Sequence, residues 1–250
     1  MAKNLIWITG ASSGIGNALA RSVPWAESRV IGIGRRPTDG LEHVQADLSD
    51  FRSWPAVAEA VRSELEGFSG KRAVFLHSAG TLDPIGFAAD VDRDAYLASL
   101  MLNGVASQIL GQQFVAAAAG VPGERTLVMI SSGAAQKVYP GWSAYGASKA
   151  GMDQWVRIVG AEQRIRGGVN VFGVAPGVVD TPMQSEVRAA DENQFPSLQR
   201  FKDLHQNGML VAPEDVASWI WRLVEEGVDS GSIVDLRELM QAAGQLGAKS

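Results

Sequence analysis

Leu5-Ile6-Trp7-Ile8-Thr9-Gly10-Ala11-Ser12-Ser13-Gly14-Ile15-Gly16 is the stretch on which the fold turns. A short apolar run enters three closely spaced glycines, and residues 15–23 then read as a helix. That is the opening of a βαβ unit. Gly10 permits the sharp turn, Gly14 lets backbone approach a pyrophosphate, and Gly16 lets the helix pack close to the sheet. Ser12, Ser13 and Ile15 complete the cradle, and the helix start offers free N–H groups and partial positive charge to phosphate. The Lys-Ser/Thr pair of a Walker A loop is absent. The alternative is an ordinary tight βα turn.

The same rhythm continues outward. Residues 30–34, 73–77, 126–131 and 169–175 are short apolar runs bounded by Gly, Ser or Pro, and read as buried strands. Residues 51–68, 93–119 and 143–166 between them read as helices. The alternation predicts an α/β chain: a Rossmann-type, doubly wound parallel sheet in three α/β/α layers, one domain over residues 1–250. Residues 178–212 break the rhythm with charges, Pro182, Pro196 and scattered large apolar side chains, as a substrate-binding lid does. A helix at 213–226 and a last strand at 232–236 follow.

Composition narrows the function. With 46% hydrophobic and 20% charged residues, the chain is no disordered segment. Zero cysteines exclude disulfides, thiolate nucleophiles and cysteine-ligated metals, and three dispersed histidines show no ligand spacing, so no metal site is expected. A net charge of −5 argues against nucleic acid. The apolar run before Gly10 is too short for a signal peptide, and residues 114–121 are too short to span a bilayer. A soluble, cytoplasmic protein is the expectation.

The second strand ends at Gly34, followed by Arg35 and Arg36. A carboxylate there would hold the ribose 2′-hydroxyl of NAD, whereas guanidinium groups pair a 2′-phosphate, which favours NADPH over NADH. A solvated basic turn is the alternative. Asp47-Leu48 after the next apolar stretch places a carboxylate near the adenine, or only caps a turn.

Ser132 stands at the C-terminal end of the 126–131 strand, where open α/β sheets bind ligands. Tyr145 and Lys149 share one face of the 143–166 helix at i, i+4 spacing. A phenol ordinarily titrates near 10, and a cation one turn away favours its ionised form. Such a phenol can protonate an oxygen that gains charge as hydride reaches carbon, with the Ser132 hydroxyl polarising the same carbonyl. Tyr and Lys four apart are common surface neighbours; order and combination give the signal.

Residues 9–16, Ser132, Tyr145-Gly-Ala-Ser-Lys149 and Ala175-Pro176-Gly177 together resemble the classical short-chain dehydrogenase/reductase family, over essentially the whole chain. The resemblance implies hydride transfer between a nicotinamide cofactor and a carbonyl or alcohol. It makes Tyr145 the acid/base, Lys149 a ligand of the nicotinamide ribose as well, and Ser132 the substrate-orienting hydroxyl. It assigns Asn103 to anchoring a proton-relay water and Thr181 to the nicotinamide carboxamide. It adds Pro176, Gly177 and Val179, and Ser78-Ala79-Gly80, to the cofactor cleft.

Two features depart from the family pattern. His77-Ser78-Ala79-Gly80 replaces Asn-Asn-Ala-Gly, and the glycine pair after the last strand is missing. His77 itself reads as a hydrogen-bonded core histidine. The ending Ser230-Gly-Ser-Ile-Val-Asp235 and the 180–184 stretch resemble the sepiapterin reductase and benzil reductase branch, which reduces carbonyls with NADPH, often vicinal dicarbonyls on aromatic molecules. The resemblance gives Asp235 a substrate-anchoring role; capping the chain end or pairing with Arg237 are equal alternatives. Met183 joins the substrate side, and Trp142 is either an aromatic wall or buried packing. The family also implies a homodimer or homotetramer. An alcohol dehydrogenase, a 3-oxoacyl reductase using Arg200 or Lys202 to grip a carrier phosphate, and a non-catalytic NADP sensor are the rival functions.

Overall fold

The first strand, β1 (Asn4–Thr9), is buried along its whole length, and its two faces enter different cores. Leu5 and Trp7 pack with Phe75, Phe114, Leu127 and Val156. Ile6 and Ile8 pack with Leu19, Val74, Val174 and Ile220. A strand covered on both faces needs a continuous apolar run rather than alternation, which is what its sequence supplies.

The computed structural model describes residues 2–244. It adds β2 (Ser28–Gly34), β3 (Glu42–Gln45), β4 (Arg72–His77), β5 (Glu124–Ile130), β6 (Asn170–Ala175) and β7 (Ile233–Asp235). The seven strands are all parallel, in the order β3-β2-β1-β4-β5-β6-β7. Chain direction across the sheet reverses between β1 and β4, which opens a crevice beyond the strand ends. Register places Thr9 beside Ile33 on one side and His77 on the other, so the crevice has an even floor.

The helices are α1 (Gly14–Arg21), α2 (Trp54–Leu65), α3 (Arg93–Leu100), α4 (Ser107–Ala117), α5 (Ser143–Arg166), α6 (Pro182–Arg188), α7 (Leu198–Gln206), α8 (Pro213–Glu226) and α9 (Leu236–Ala242). Buried residues of α2, α4 and α5 cover one sheet face, and those of α1, α8 and α9 the other. The expected Rossmann-type α/β single domain is therefore the fold. Among the described residues no helix is long and apolar enough to cross a membrane.

The expected 93–119 helix is α3 and α4 joined by a π-helical turn, Met101–Ala106, that carries Asn103. Such turns shift the helical register locally and are frequent at functional sites. The 178–212 segment holds α6 and α7, and its two ends are tied together. Val179 bridges Val211, with Asp180 N donating to the Val211 carbonyl at 2.9 Å and Val211 N to the Val178 carbonyl at 3.0 Å. The excursion thus leaves and re-enters the domain at one point.

One close approach sets the seat of α5 beneath the crevice. A Cβ on Gly160 would stand 2.1 Å from the Gly231 nitrogen and 2.3 Å from its Cα, both backbone atoms. Alanine is about 1 kcal/mol better than glycine inside a helix, but overpacking costs roughly 1–3 kcal/mol or more. The clash is with main chain and has no soft partner, so it wins. Gly160→Ala is expected to lower Tm by about 5 °C, at a few degrees per kcal/mol for a chain this size, in a thermal melt. An unchanged or raised Tm would mean that the loop at Gly231 yields freely.

Candidate active site

Beyond the C-terminal strand ends lies a cleft of about 430 Å³. One wall is the glycine turn, where Gly10, Ser13, Gly14 and Ile15 line the space. Gly10 has φ +70°, and a Cβ there would press at 3.0 Å on the Ala79 backbone. Gly16 does not reach the cleft; a Cβ on it would stand 2.3 Å from the Gly10 carbonyl oxygen. Gly16 thus closes the turn on itself, rather than on the sheet. Ser13 caps α1 without a side-chain hydrogen bond, and no acid occupies the first turn. Open amides and the helix dipole at this spot suit a phosphate anion.

Around that turn, Arg35 and Arg36 follow β2 and line the same space. Ser78, Ala79 and Gly80 line it from the β4 exit, and Pro176, Gly177, Val179 and Thr181 from the β6 exit. Thr9 Oγ1 accepts from the Ser78 and Ala79 amides, both at 3.0 Å, and lies 3.3 Å from His77 Nδ1. His77 is buried, and burial, with the Lys149 charge adding to it, pushes its pKa down to about 3. It is a neutral core group tying β1 to β4. The Ser78 and Ala79 amides are thus held by the Thr9 hydroxyl at the β4 exit.

The other end of the cleft brings Ser132, Tyr145 and Lys149 together. Ser132 follows β5, and its Oγ accepts from the Ala134 amide at 3.1 Å, which fixes the turn below it. Tyr145 and Lys149 sit one turn apart on α5 and are 8% and 5% exposed. Lys149 Nζ donates to the Ile130 carbonyl at 2.7 Å and stands 5.8 Å from the Tyr145 ring centroid. Burial pushes the Lys149 ammonium down to about 8, while the Asp153 carboxylate opposes the fall.

The Tyr145 phenol departs from the sequence expectation. Burial holds it above its ordinary value, and a hydrogen bond from Ser132 only pulls it back in part. Desolvation of the phenolate outweighs that hydrogen bond, and the Lys149 ammonium points at the Ile130 carbonyl instead. At neutral pH Tyr145 is therefore a protonated phenol. That is the state needed to give a proton away.

An aromatic cluster roofs this end. Trp142 stacks on Phe195 at 4.7 Å between ring centroids and meets Tyr145 at 5.7 Å and Phe201 at 5.2 Å. Trp142, Met183 and Phe201 line the cleft. Trp142 is both of the things weighed for it, a 7% exposed packing residue and a wall of the site. Arg200 lines the cleft and donates to the Tyr139 hydroxyl at 3.0 Å.

Other expected residues lie elsewhere. Asp47 accepts from the Ser49 amide and hydroxyl, Leu48 is buried in the core, and neither they nor Ser12 line the cleft. Asn103 is fully buried in the π-helical turn behind it. Its Oδ1 accepts from the Thr81 amide at 3.0 Å and its Nδ2 donates to the Thr81 carbonyl at 2.9 Å. The side chain fixes the loop after β4, a task the sequence did not indicate. Asp235 caps α9 and is paired with Arg237, whose backbone N and Nε both donate to Oδ1 at 3.0 Å. The alternatives to substrate anchoring are thus what its oxygens do, and Arg237, not Asp235, faces the cleft. Among the described residues no acidic or histidine cluster is placed to hold a metal ion.

Comparison with known proteins agrees with this geometry. Residues 4–192 match the family model described as short chain dehydrogenase. The chain is 34% identical over 238 residues to a benzil reductase ((S)-benzoin forming) of Bacillus subtilis strain 168, covering 93% of this chain and 98% of the relative. It is 29% identical over 244 residues to a benzil reductase ((S)-benzoin forming) of Bacillus cereus, with 92% and 98% covered. The solved structure of the KRED1-Pglu enzyme superposes with a TM-score of 0.78 at 27% identity, covering 92% of this chain and all of that one. The chain thus belongs to the short chain dehydrogenase family and is a nicotinamide-dependent oxidoreductase acting on CH–OH or C=O groups.

Proposed function

We propose that the protein is an NADPH-dependent carbonyl reductase whose preferred substrates are aromatic vicinal dicarbonyls. The observation that carries this reading is a protonated, buried Tyr145 held between the Ser132 hydroxyl and an aromatic roof of Trp142 and Phe201. The cleft fits the cofactor: the open start of α1 receives the pyrophosphate, Arg35 and Arg36 the 2′-phosphate, and Thr181 the carboxamide end. When bound, the nicotinamide supplies hydride. Ser132 hydrogen-bonds the substrate oxygen and polarises the carbonyl, and Tyr145 hands that oxygen its phenolic proton. Lys149, charged and close behind, steadies the phenolate left on Tyr145. The aromatic roof excludes water, so these interactions act in a low-dielectric space.

A benzil-like molecule suits the roof through ring contacts. A pterin suits it less, because Asp235 is already neutralised by Arg237. The exposed apolar side chains Leu97, Val105, Ile109 and Ile158 on α3, the π-helical turn, α4 and α5 support a homodimer or homotetramer. The test is consumption of NADPH, followed by absorbance, with benzil, a pterin and an acyl thioester as substrates. Benzil is expected to give the highest kcat/KM. Cofactor binding without consumption on any carbonyl would return the protein to the sensor class.

A further inference from the structure

Asp153 lies one turn beyond Lys149 on α5 and is 2% exposed. Tyr145, Lys149 and Asp153 are therefore one stripe of the helix at successive i, i+4 steps. The acid is not a surface residue folded inward. The Ser131 hydroxyl, just past the end of β5, donates to its Oδ1 at 2.5 Å. Ser131 itself lines the cleft next to Ser132. A buried carboxylate costs several kcal/mol unless it is paired and hydrogen-bonded. Nothing in the packing of the sheet requires an acid at this position. Its neighbours on α5, Met152 and Val156, are core residues.

We propose that Asp153 is a positioning residue of the active site: pinned by Ser131, it is the countercharge that keeps the buried Lys149 protonated and poised behind Tyr145. This rests on the proton-donor role given to Tyr145 above. The groups facing Lys149 can be named from each element around it. On α5 these are Tyr145, a neutral phenol, and Asp153, whose carboxyl is pushed up by burial and drawn back down by the Ser131 hydrogen bond, by Arg157 one turn further toward solvent and by Lys149. From β5 comes the Ile130 carbonyl, which accepts from Nζ, and from just past its end the Ser131 hydroxyl. From β4 comes His77, neutral and unable to balance a cation. Among the described residues, Asp153 is thus the carboxylate that supports the ammonium against its desolvation.

The consequence has a definite sign. Reduction needs Lys149 charged, so activity falls as pH rises through its pKa. Removing the Asp153 charge lowers that pKa, and the alkaline limb of the profile moves to lower pH. Asp153→Asn keeps the shape and a partner for Ser131. It is expected to shift the limb of kcat for NADPH and benzil down by about one pH unit, the lower end of what a near opposite charge supplies. At pH 8, the wild-type midpoint, that is roughly a fivefold loss against wild type, recovered on acidifying by one unit. Ser131→Ala keeps the charge and removes only the pin, so its limb should move less. A Tm change with the limb in place would make Asp153 merely structural and overturn the proposal, as would equal shifts in the two variants.

Titrating the Lys149 side chain by NMR, in wild type and in Asp153→Asn, reads the same pKa without turnover. It separates this inference from the functional one. An unshifted Lys149 overturns the countercharge, whereas a shifted Lys149 in a protein that reduces no carbonyl overturns only the reductase.

Discussion

Tyr145→Phe is expected to lower kcat for carbonyl reduction by about 10²–10⁴-fold, the usual contribution of one positioned proton donor. In barrier terms that is roughly 3–5 kcal/mol. The expectation follows from what the substitution removes. The phenylalanine ring keeps the packing against Trp142, which Tyr145 meets at 5.7 Å in an edge-on arrangement. What is lost is one hydroxyl, which carries the proton and shares a hydrogen bond with Ser132. Binding of NADPH, read by cofactor fluorescence, should change by less than about threefold, since its main contacts are the glycine turn and the basic pair after β2. A variant that keeps a tenth or more of the wild-type kcat would show that another group, Ser132 or a water, protonates the product. The pH profile adds a second check. Because burial raises the phenol, the donor stays protonated through neutral pH, and the alkaline fall in wild type should be set by Lys149, near 8.

Much of this arrangement was legible in the residues because it is local. The turn at Gly10 to Gly16 is written as a strand, three glycines and a helix, and α5 spans the expected 143–166 because Gly167, at φ +63°, ends it. The edge strand β3 was legible only as an unbounded apolar stretch before Asp47. Its four residues, Glu42 to Gln45, alternate poorly and are half exposed, so the sequence marks no limits for it. The π-helical turn was hidden for a different reason: a single shift of register leaves the helical period of 93–117 almost intact. It still decides that Asn103 faces the loop after β4. The Tyr145 shift was misjudged because spacing gives the distance to a cation but not the loss of water around the phenol. Asp153 had a signal that went unused, an acid at i+8 on a stripe otherwise flanked by core residues. Arg237 was legible only as a partner for Asp235, which it is, and its place in the cleft wall was not.

Replacing Arg35 and Arg36 together by alanine is expected to raise the KM for NADPH by about 100-fold or more while leaving that for NADH within threefold, at a charge-assisted hydrogen bond of roughly 1.5–3 kcal/mol per guanidinium. Both side chains are exposed, line the cleft beside Ser13, and have no ion-pair partner among the described residues. Two unpaired cations at the end of β2 gain little for the fold, so their removal should barely move Tm. An NAD-preferring site would offer a carboxylate here for the ribose 2′-hydroxyl. The sequence has Gly34 and then arginine, and Asp47, the acid nearest along the chain to serve from β3, is occupied by Ser49 and lies off the cleft. The affinity for NADPH should also weaken more steeply with ionic strength than that for NADH, since both share the screened pyrophosphate contact and only NADPH adds the 2′-phosphate contact. Parallel initial rates with the two cofactors, at low and high salt, read all four quantities. Equal losses for NADPH and NADH in the double variant would assign the arginines to the shared pyrophosphate, and no loss for either would leave them as a solvated turn.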